Sequence, residues 1–166
     1  MSYHGYSCKY AEYLLRFLDS KDITLVEIGI LKGSGLAMWC DLFPVAKILG
    51  LDIDLGHIQG NMENLKRLGA FSQNSPELFE FDQFNCDNTI FEKGLNGRKI
   101  NICIDDGFHS NETILNTLHC VEPYLGKNFV YFIEDNKNIH EKIKELYPQF
   151  NVDYENKLTI LTEKTS

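Results

Sequence analysis

Several features are scarce or missing in this 166-residue sequence. No apolar run approaches the roughly 18 uninterrupted residues of a membrane span. The first 21 residues are polar and tyrosine-rich, with no apolar stretch of the signal-peptide type. Neither a membrane partner nor export is expected, and the expected location is the cytoplasm. Basic charge is also short, since 16 Lys and Arg against 24 Asp and Glu leave a formal net charge of −8. Phosphate backbones would be repelled on average, so nucleic acid is not an expected partner. The five cysteines, Cys8, Cys40, Cys86, Cys103 and Cys120, are odd in number and contain no CxxC pair. That spacing argues against a thiolate zinc site and against a disulfide framework, and it suits a reducing compartment.

What is present is enough apolar material for one core, 43% of residues, at the usual size of a single domain. No internal repeat, low-complexity tract or linker invites a cut, so residues 1–166 are read as one domain. Helical spacing of Tyr10, Tyr13, Leu14, Phe17 and Leu18 predicts an amphipathic helix over 6–18. Short buried strands are predicted at 24–30, 47–53, 77–84, 100–104 and 128–133, with helices at 36–43, 58–68, 112–125 and 139–147. Residues 150–154 and 158–162 predict a closing antiparallel pair. The alternation implies an α/β fold, a doubly wound and mostly parallel sheet of seven strands with helices on both faces and an antiparallel C-terminal strand.

The unusual residues fall where ligands bind in such sheets, at the carboxyl ends of strands. Gly29, Asp52, Asp82, Asp106 and Glu134 each end a predicted strand. The segment Glu27-Ile28-Gly29-Ile30-Leu31-Lys32-Gly33-Ser34-Gly35 joins a strand to a helix. There, glycines admit close backbone approach and a helix N-terminus offers unpaired N–H groups. A tight packed turn would also explain a bare glycine cluster. About twenty residues on, Asp52 ends the second strand in a carboxylate able to hold a ribose diol. The pattern is GxxxGxG and not the GxGxxG of dinucleotide enzymes. It would still suit short-chain dehydrogenases, but no tyrosine here has a lysine four residues later.

With Glu27 two residues before the first glycine, these motifs resemble those of class I S-adenosylmethionine-dependent methyltransferases, a Rossmann-like family. The resemblance spans about residues 24–162. It implies that Glu27, Gly29 and Gly33 shape the pocket for the methionine part and that Asp52 binds the ribose hydroxyls. It places Asp82 and Gln83 of Phe81-Asp82-Gln83 at the adenine position.

Ile104-Asp105-Asp106-Gly107-Phe108-His109 puts two acids and a histidine at the fourth strand end, and Phe132-Ile133-Glu134-Asp135 puts two more acids at the fifth. Neighbouring strand ends lie about 4.8 Å apart, so four carboxylates converge. A hard divalent cation, Mg²⁺ by default, is the simplest compensation for that charge. The competing reading is that Asp105 or Asp106 and Asp135 cap the helices that follow. His109 has the chemistry of a general base for a hydroxyl proton. DDG-x-H followed by a strand ending in ED resembles the metal-dependent sugar O-methyltransferases of the macrolide-glycoside and cephalosporin-hydroxylase-like branch. That resemblance implies Asp106, Glu134 and Asp135 as metal ligands and His109 as catalytic base. Asp105 matches the motif on the cofactor side. Phe108 departs from the small residue usual there, which alters the substrate pocket.

The expected activity is transfer of a methyl group from S-adenosylmethionine to a hydroxyl of a small acceptor, a sugar in a polysaccharide or natural-product glycoside. A metal-independent methyltransferase and a catalytically silent cofactor-binding module are the alternatives. Little chain follows Asp135 to wall an acceptor site, so a homo-oligomer is an expectation as well. Tyr3, Tyr6 and Tyr10 are expected to cover the sheet and Trp39 to pack within its helix. His4, His57, His119 and His140 show no partner pattern.

Overall fold

A computed structural model of the chain describes residues 5–85 and 87–164; Tyr3, His4 and Cys86 lie outside these. Helix α1 (Ser7–Leu14) opens the fold and runs into one 3-10 turn, Leu15–Phe17. Then strands and helices alternate: β1 (Thr24–Ile28), α2 (Ser34–Leu42), β2 (Lys47–Asp52), α3 (Gly56–Arg67), β3 (Glu77–Glu80), α4 (Asn88–Leu95) and β4 (Ile100–Asp105). The chain finishes with α5 (Asn111–Val121), β5 (Leu125–Ile133), α6 (Ile139–Leu146), β6 (Phe150–Glu155) and β7 (Leu158–Glu163). The seven strands form one sheet in the order β3-β2-β1-β4-β5-β7-β6. Only β7 runs against the others, pairing antiparallel with both β5 and β6. The doubly wound α/β architecture expected from the sequence is the one found.

The inner strands β1, β2 and β4 are buried on both faces, which is why they read as apolar runs instead of alternating ones. Leu25, Ile48, Ile102, Ile104, Val130 and Phe132 face one core with the apolar sides of α1, α2 and α3. Val26, Leu49, Leu51, Cys103, Tyr131 and Ile133 face the other, under α4, α5 and α6. Asn156 and Lys157, both at positive φ, make the two-residue turn between β6 and β7, the geometry whose twist matches a hairpin.

Three details differ from the sequence reading. Strand β3 stops at Glu80, although the acidic and apolar alternation runs on to Phe84, because its partner β2 ends at Asp52. Helix α4 was not foreseen; Asp87 starts it by accepting a hydrogen bond from Thr89 N at 2.9 Å. Cys8, Cys40 and Cys103 are free thiols, but Cys120 is disulfide-bonded. Spacing along the chain does not reveal which thiols a fold brings together.

Backbone hydrogen bonds carry the ladder just past the strands. Gly29 N donates to Leu51 O at 2.8 Å, Asp106 N to Ile28 O at 2.8 Å, Glu134 N to Asp105 O at 3.0 Å and Phe81 N to Asp52 O at 2.8 Å. The carboxyl ends of β1 to β5 are thereby level along one edge. Gly29, at φ +85°, sits where a Cβ would lie 2.2 Å from the Asp106 carbonyl oxygen, whereas at Gly33 a Cβ would meet the side-chain Cδ1 of Ile58 at 2.6 Å. Gly33→Ala is expected to cost about 1–2 kcal/mol of backbone strain. Gly29→Ala, opposed by backbone that cannot move aside, is expected to cost more than about 3 kcal/mol. Urea midpoints in the reverse order would show that the loop does not approach β4 this closely.

Candidate functional site

The turn from β1 to α2 is built from left-handed residues: Gly29, Leu31 at φ +43° and Gly33 at φ +79°. No side chain caps the start of α2. Asp52, at the end of β2, accepts from Leu31 N at 2.8 Å through Oδ2 and from Asp54 N at 3.2 Å through Oδ1. Each oxygen keeps a second lone pair for a further donor. That cleft, about 390 Å³, is lined by Gly29, Asp52, Asp82, Gln83, Asp106 and His109 among others. Exposed Leu31, Ile53, Phe84 and Phe108 give it an apolar rim.

The adenine candidates hold the loop after β3 in shape. Asp82 Oδ1 accepts from Phe84 N at 2.9 Å and Oδ2 from Asn85 Nδ2 at 2.7 Å, a turn closed on itself. The Gln83 amide is buried, with Nε2 donating to Asp105 Oδ1 at 2.9 Å and Thr117 Oγ1 at 2.8 Å while Oε1 accepts from Phe108 N at 2.8 Å. Asp105 is 1% exposed and does not line the cleft. Burial raises its pKa to about 7, against the lowering effect of the Gln83 hydrogen bond. Gln83 and Asp105 therefore brace the β3 loop to the β4 loop from beneath the cleft.

Asp106, His109 and Asp135 each place a ligand atom within 4.8 Å of the others. His109 and Asp135 both have positive φ, +61° and +55°, a conformation uncommon outside glycine that Asp and His adopt more readily than most residues. His109 Nδ1 lies 3.2 Å from the Glu134 carbonyl oxygen. A carbonyl only accepts, so Nδ1 carries the proton and Nε2, 3.8 Å from Asp106 Oδ1, keeps its lone pair in the neutral ring. Glu134, placed with Asp106 and Asp135 by the sequence, lies outside this group of three. Its side chain is buried, and Oε1 accepts from Tyr10 OH at 2.5 Å. Burial raises the pKa of Glu134 to about 7 and that of Asp106 to about 6, with the Asp135 charge adding to both.

The strand-end acids do not cap the helices that follow. Ser110 Oγ accepts from Thr113 N at 3.1 Å to start α5, and Asn136 Oδ1 accepts from Asn138 N at 3.0 Å and Ile139 N at 2.8 Å to start α6. Tyr6 and Tyr10 are buried against the sheet as expected, but they also donate to Asp135 and Glu134. Helical spacing signalled their burial; nothing in the sequence signalled their partners.

Glu27 lies beneath the glycine loop, 5% exposed. Trp39 Nε1 donates to its Oε1 at 3.1 Å, and Oε2 has no hydrogen-bond partner. Burial raises its pKa from 4.5 to about 8, with the Asp106 charge adding and the Trp39 bond opposing. Between those values the unfolded chain is ionised and the folded chain is not, so its contribution to stability is whole below pH 4.5 and lost as pH rises through about 8. Glu27→Gln is expected to gain on the wild type by up to about 1.4 kcal/mol per pH unit across that window and to hold a constant lead above it. Urea melts at about pH 5, 7 and 9 test this; a lead that does not change with pH would mean Glu27 is ionised in the fold.

No model of a known protein family matches the chain. Uncharacterized protein R132 of Acanthamoeba polyphaga mimivirus is 25% identical over 144 residues, 84% of this chain and 63% of that protein. The MycE methyltransferase of the mycinamycin biosynthetic pathway, solved with Mg and SAH, superposes with a TM-score of 0.71 at 17% identity, over 95% of this chain and 49% of that one. The SAH-bound methyltransferase PaMTH1 of Podospora anserina gives 0.67 at 14% identity, over 95% and 78%. An rRNA methylase of Streptococcus thermophilus gives 0.65 at 14% identity, over 96% and 97%. The chain thus spans less than two thirds of the mimivirus protein and about half of MycE. At identities this low the likeness is one of architecture: the chain has the Rossmann-like fold of class I methyltransferases.

Proposed function

We propose that this chain is an S-adenosylmethionine-dependent methyltransferase domain that methylates a hydroxyl, on a sugar or similar polyol, with a divalent cation held beside the cofactor. The observation that carries the reading is the placement of two constellations on one sheet edge. The glycine loop and Asp52 flank the cleft, and Asp106 and His109 form its far lip next to Asp135. Glu27 Oε2, buried without a donor beside the start of α2, is an acceptor that the cofactor's ammonium group would satisfy. Asp52 would hold the ribose hydroxyls, and Ile53 and Phe108 on the rim supply apolar surface for the base.

The donor set also fits a cation. Asp106 and Asp135 gather with His109 within 4.8 Å, Glu134 lies near enough for the charges of both acids to raise its pKa, and separate residues cap α5 and α6. Asp106, Glu134 and Asp135 would hold Mg²⁺ or a similar ion. When bound, such an ion lowers the proton affinity of an acceptor hydroxyl. The methyl group is already activated by the sulfonium, so the protein's part is alignment and proton removal. His109 Nε2, with its lone pair set by the Nδ1 bond to Glu134 O, takes the proton. A formal charge of −8 favours a small neutral acceptor over nucleic acid.

Calorimetric titration with S-adenosylmethionine is expected to give micromolar binding, with none for NADH. Asp52→Ala should weaken it about 10- to 100-fold by removing the diol acceptor. Binding of NADH alone would sink the reading. His109→Ala is expected to keep cofactor affinity and lose about 100-fold or more in turnover, measured across a panel of sugar acceptors. Wild-type turnover in that variant would remove His109 from the mechanism.

A further inference from the structure

Glu134 is the member of the acidic set that the geometry sets apart, and the cause comes from the opposite end of the chain. Tyr10, on α1, is 3% exposed and donates to Glu134 Oε1 at 2.5 Å across 124 positions of sequence. No described donor reaches Glu134 Oε2, and no described Lys or Arg pairs with the carboxylate. Tyr10 has little freedom of its own. Its ring stacks on Phe132 with centroids 4.2 Å apart and lies 5.4 Å from Trp39, which is bonded to Glu27. The helix that carries it is tied to β6, where Lys9 Nζ and Tyr13 OH donate to Asp153 at 3.2 and 3.1 Å.

A fixed donor on one oxygen sets the orientation of a carboxylate and leaves the other oxygen with both lone pairs for a ligand. We propose that Tyr10 is a positioning residue of the metal centre: its hydroxyl engages Glu134 Oε1 and so commits Oε2 to the cation held with Asp106 and Asp135. This rests on the divalent-cation reading above. Helix α1 then serves as part of the metal site as well as a cover for the sheet. Partners that orient a ligand in this way typically govern metal affinity by about 10- to 100-fold.

The test is Mn²⁺ titration followed by electron paramagnetic resonance on four proteins: wild type, Tyr10→Phe, Glu134→Ala and the double variant. S-adenosylhomocysteine titration and thermal melts run alongside. Tyr10→Phe keeps the ring and its stacking, so it is expected to weaken Mn²⁺ about 10-fold or more while leaving S-adenosylhomocysteine affinity unchanged. In the Glu134→Ala background the same substitution is expected to do nothing further. Wild-type Mn²⁺ affinity in Tyr10→Phe overturns the proposal, as does an equal loss in both backgrounds, which marks a purely structural role. A wild-type protein that binds S-adenosylhomocysteine but no Mn²⁺ removes the metal centre itself and the proposal with it. Mn²⁺ binding without S-adenosylhomocysteine binding would instead overturn the cofactor reading and leave Tyr10 in place.

Discussion

The hydrogen bonds that carry the parallel ladder past its strands fix everything at the candidate site. Gly29 N reaches Leu51 O, Asp106 N reaches Ile28 O, and Glu134 N reaches Asp105 O. Each bond sets the height at which the next loop leaves the sheet. Because these heights agree, residues from five loops meet along one edge without any loop having to be long. A slip of one residue in any of these pairings would turn the strand's side chains over to the opposite face. Apolar burial on both sides makes such a slip costly, so the cores that stabilise the sheet also hold the register of the edge.

That precision is bought with electrostatic cost. Glu27, Asp105 and Glu134 are each buried, and none pairs with a described Lys or Arg. Each receives a neutral donor instead: Trp39 for Glu27, Gln83 for Asp105 and Tyr10 for Glu134. A neutral donor orients a carboxylate and opposes the rise only in part, so burial prevails and the pKa values of all three stay raised. Such an edge is poised for a ligand that brings positive charge, whether sulfonium, ammonium or metal ion.

The sequence made the fold legible because buried parallel strands leave compact apolar runs and because glycines and acids punctuate their ends. It was less informative where structure depends on partners. The alternation at 77–84 runs past Glu80, and only the end of β2 stops the strand. Helix α4 hides behind Asn88, Thr89 and Gly94, residues with weak helical preference, and is started by Asp87. Gln83 occupies the expected loop, but its amide braces Asp105 and Phe108 N, bonds that no pattern of residue types discloses. Asp106, His109 and Asp135 were legible as a cluster, whereas the separation of Glu134 from them depends on its bond to Tyr10. Helical periodicity exposed the apolar side of α1 and was silent about where its hydroxyls point.

The tie between α1 and the end of β5 also bears on how the protein emerges during synthesis. Tyr6 and Tyr10 find their acceptors 129 and 124 positions later, and the Phe132 ring that seats Tyr10 lies in the same late strand. While the first four strands are being made, the aromatic side of the first helix can meet Trp39 and the apolar residues of β1 and β2, but not the ring and acceptors that β5 brings. The part of it that β5 covers stays open for that time, and transiently exposed apolar surface of this kind is what chaperones bind. The nascent domain becomes compact at this end only when β5 arrives.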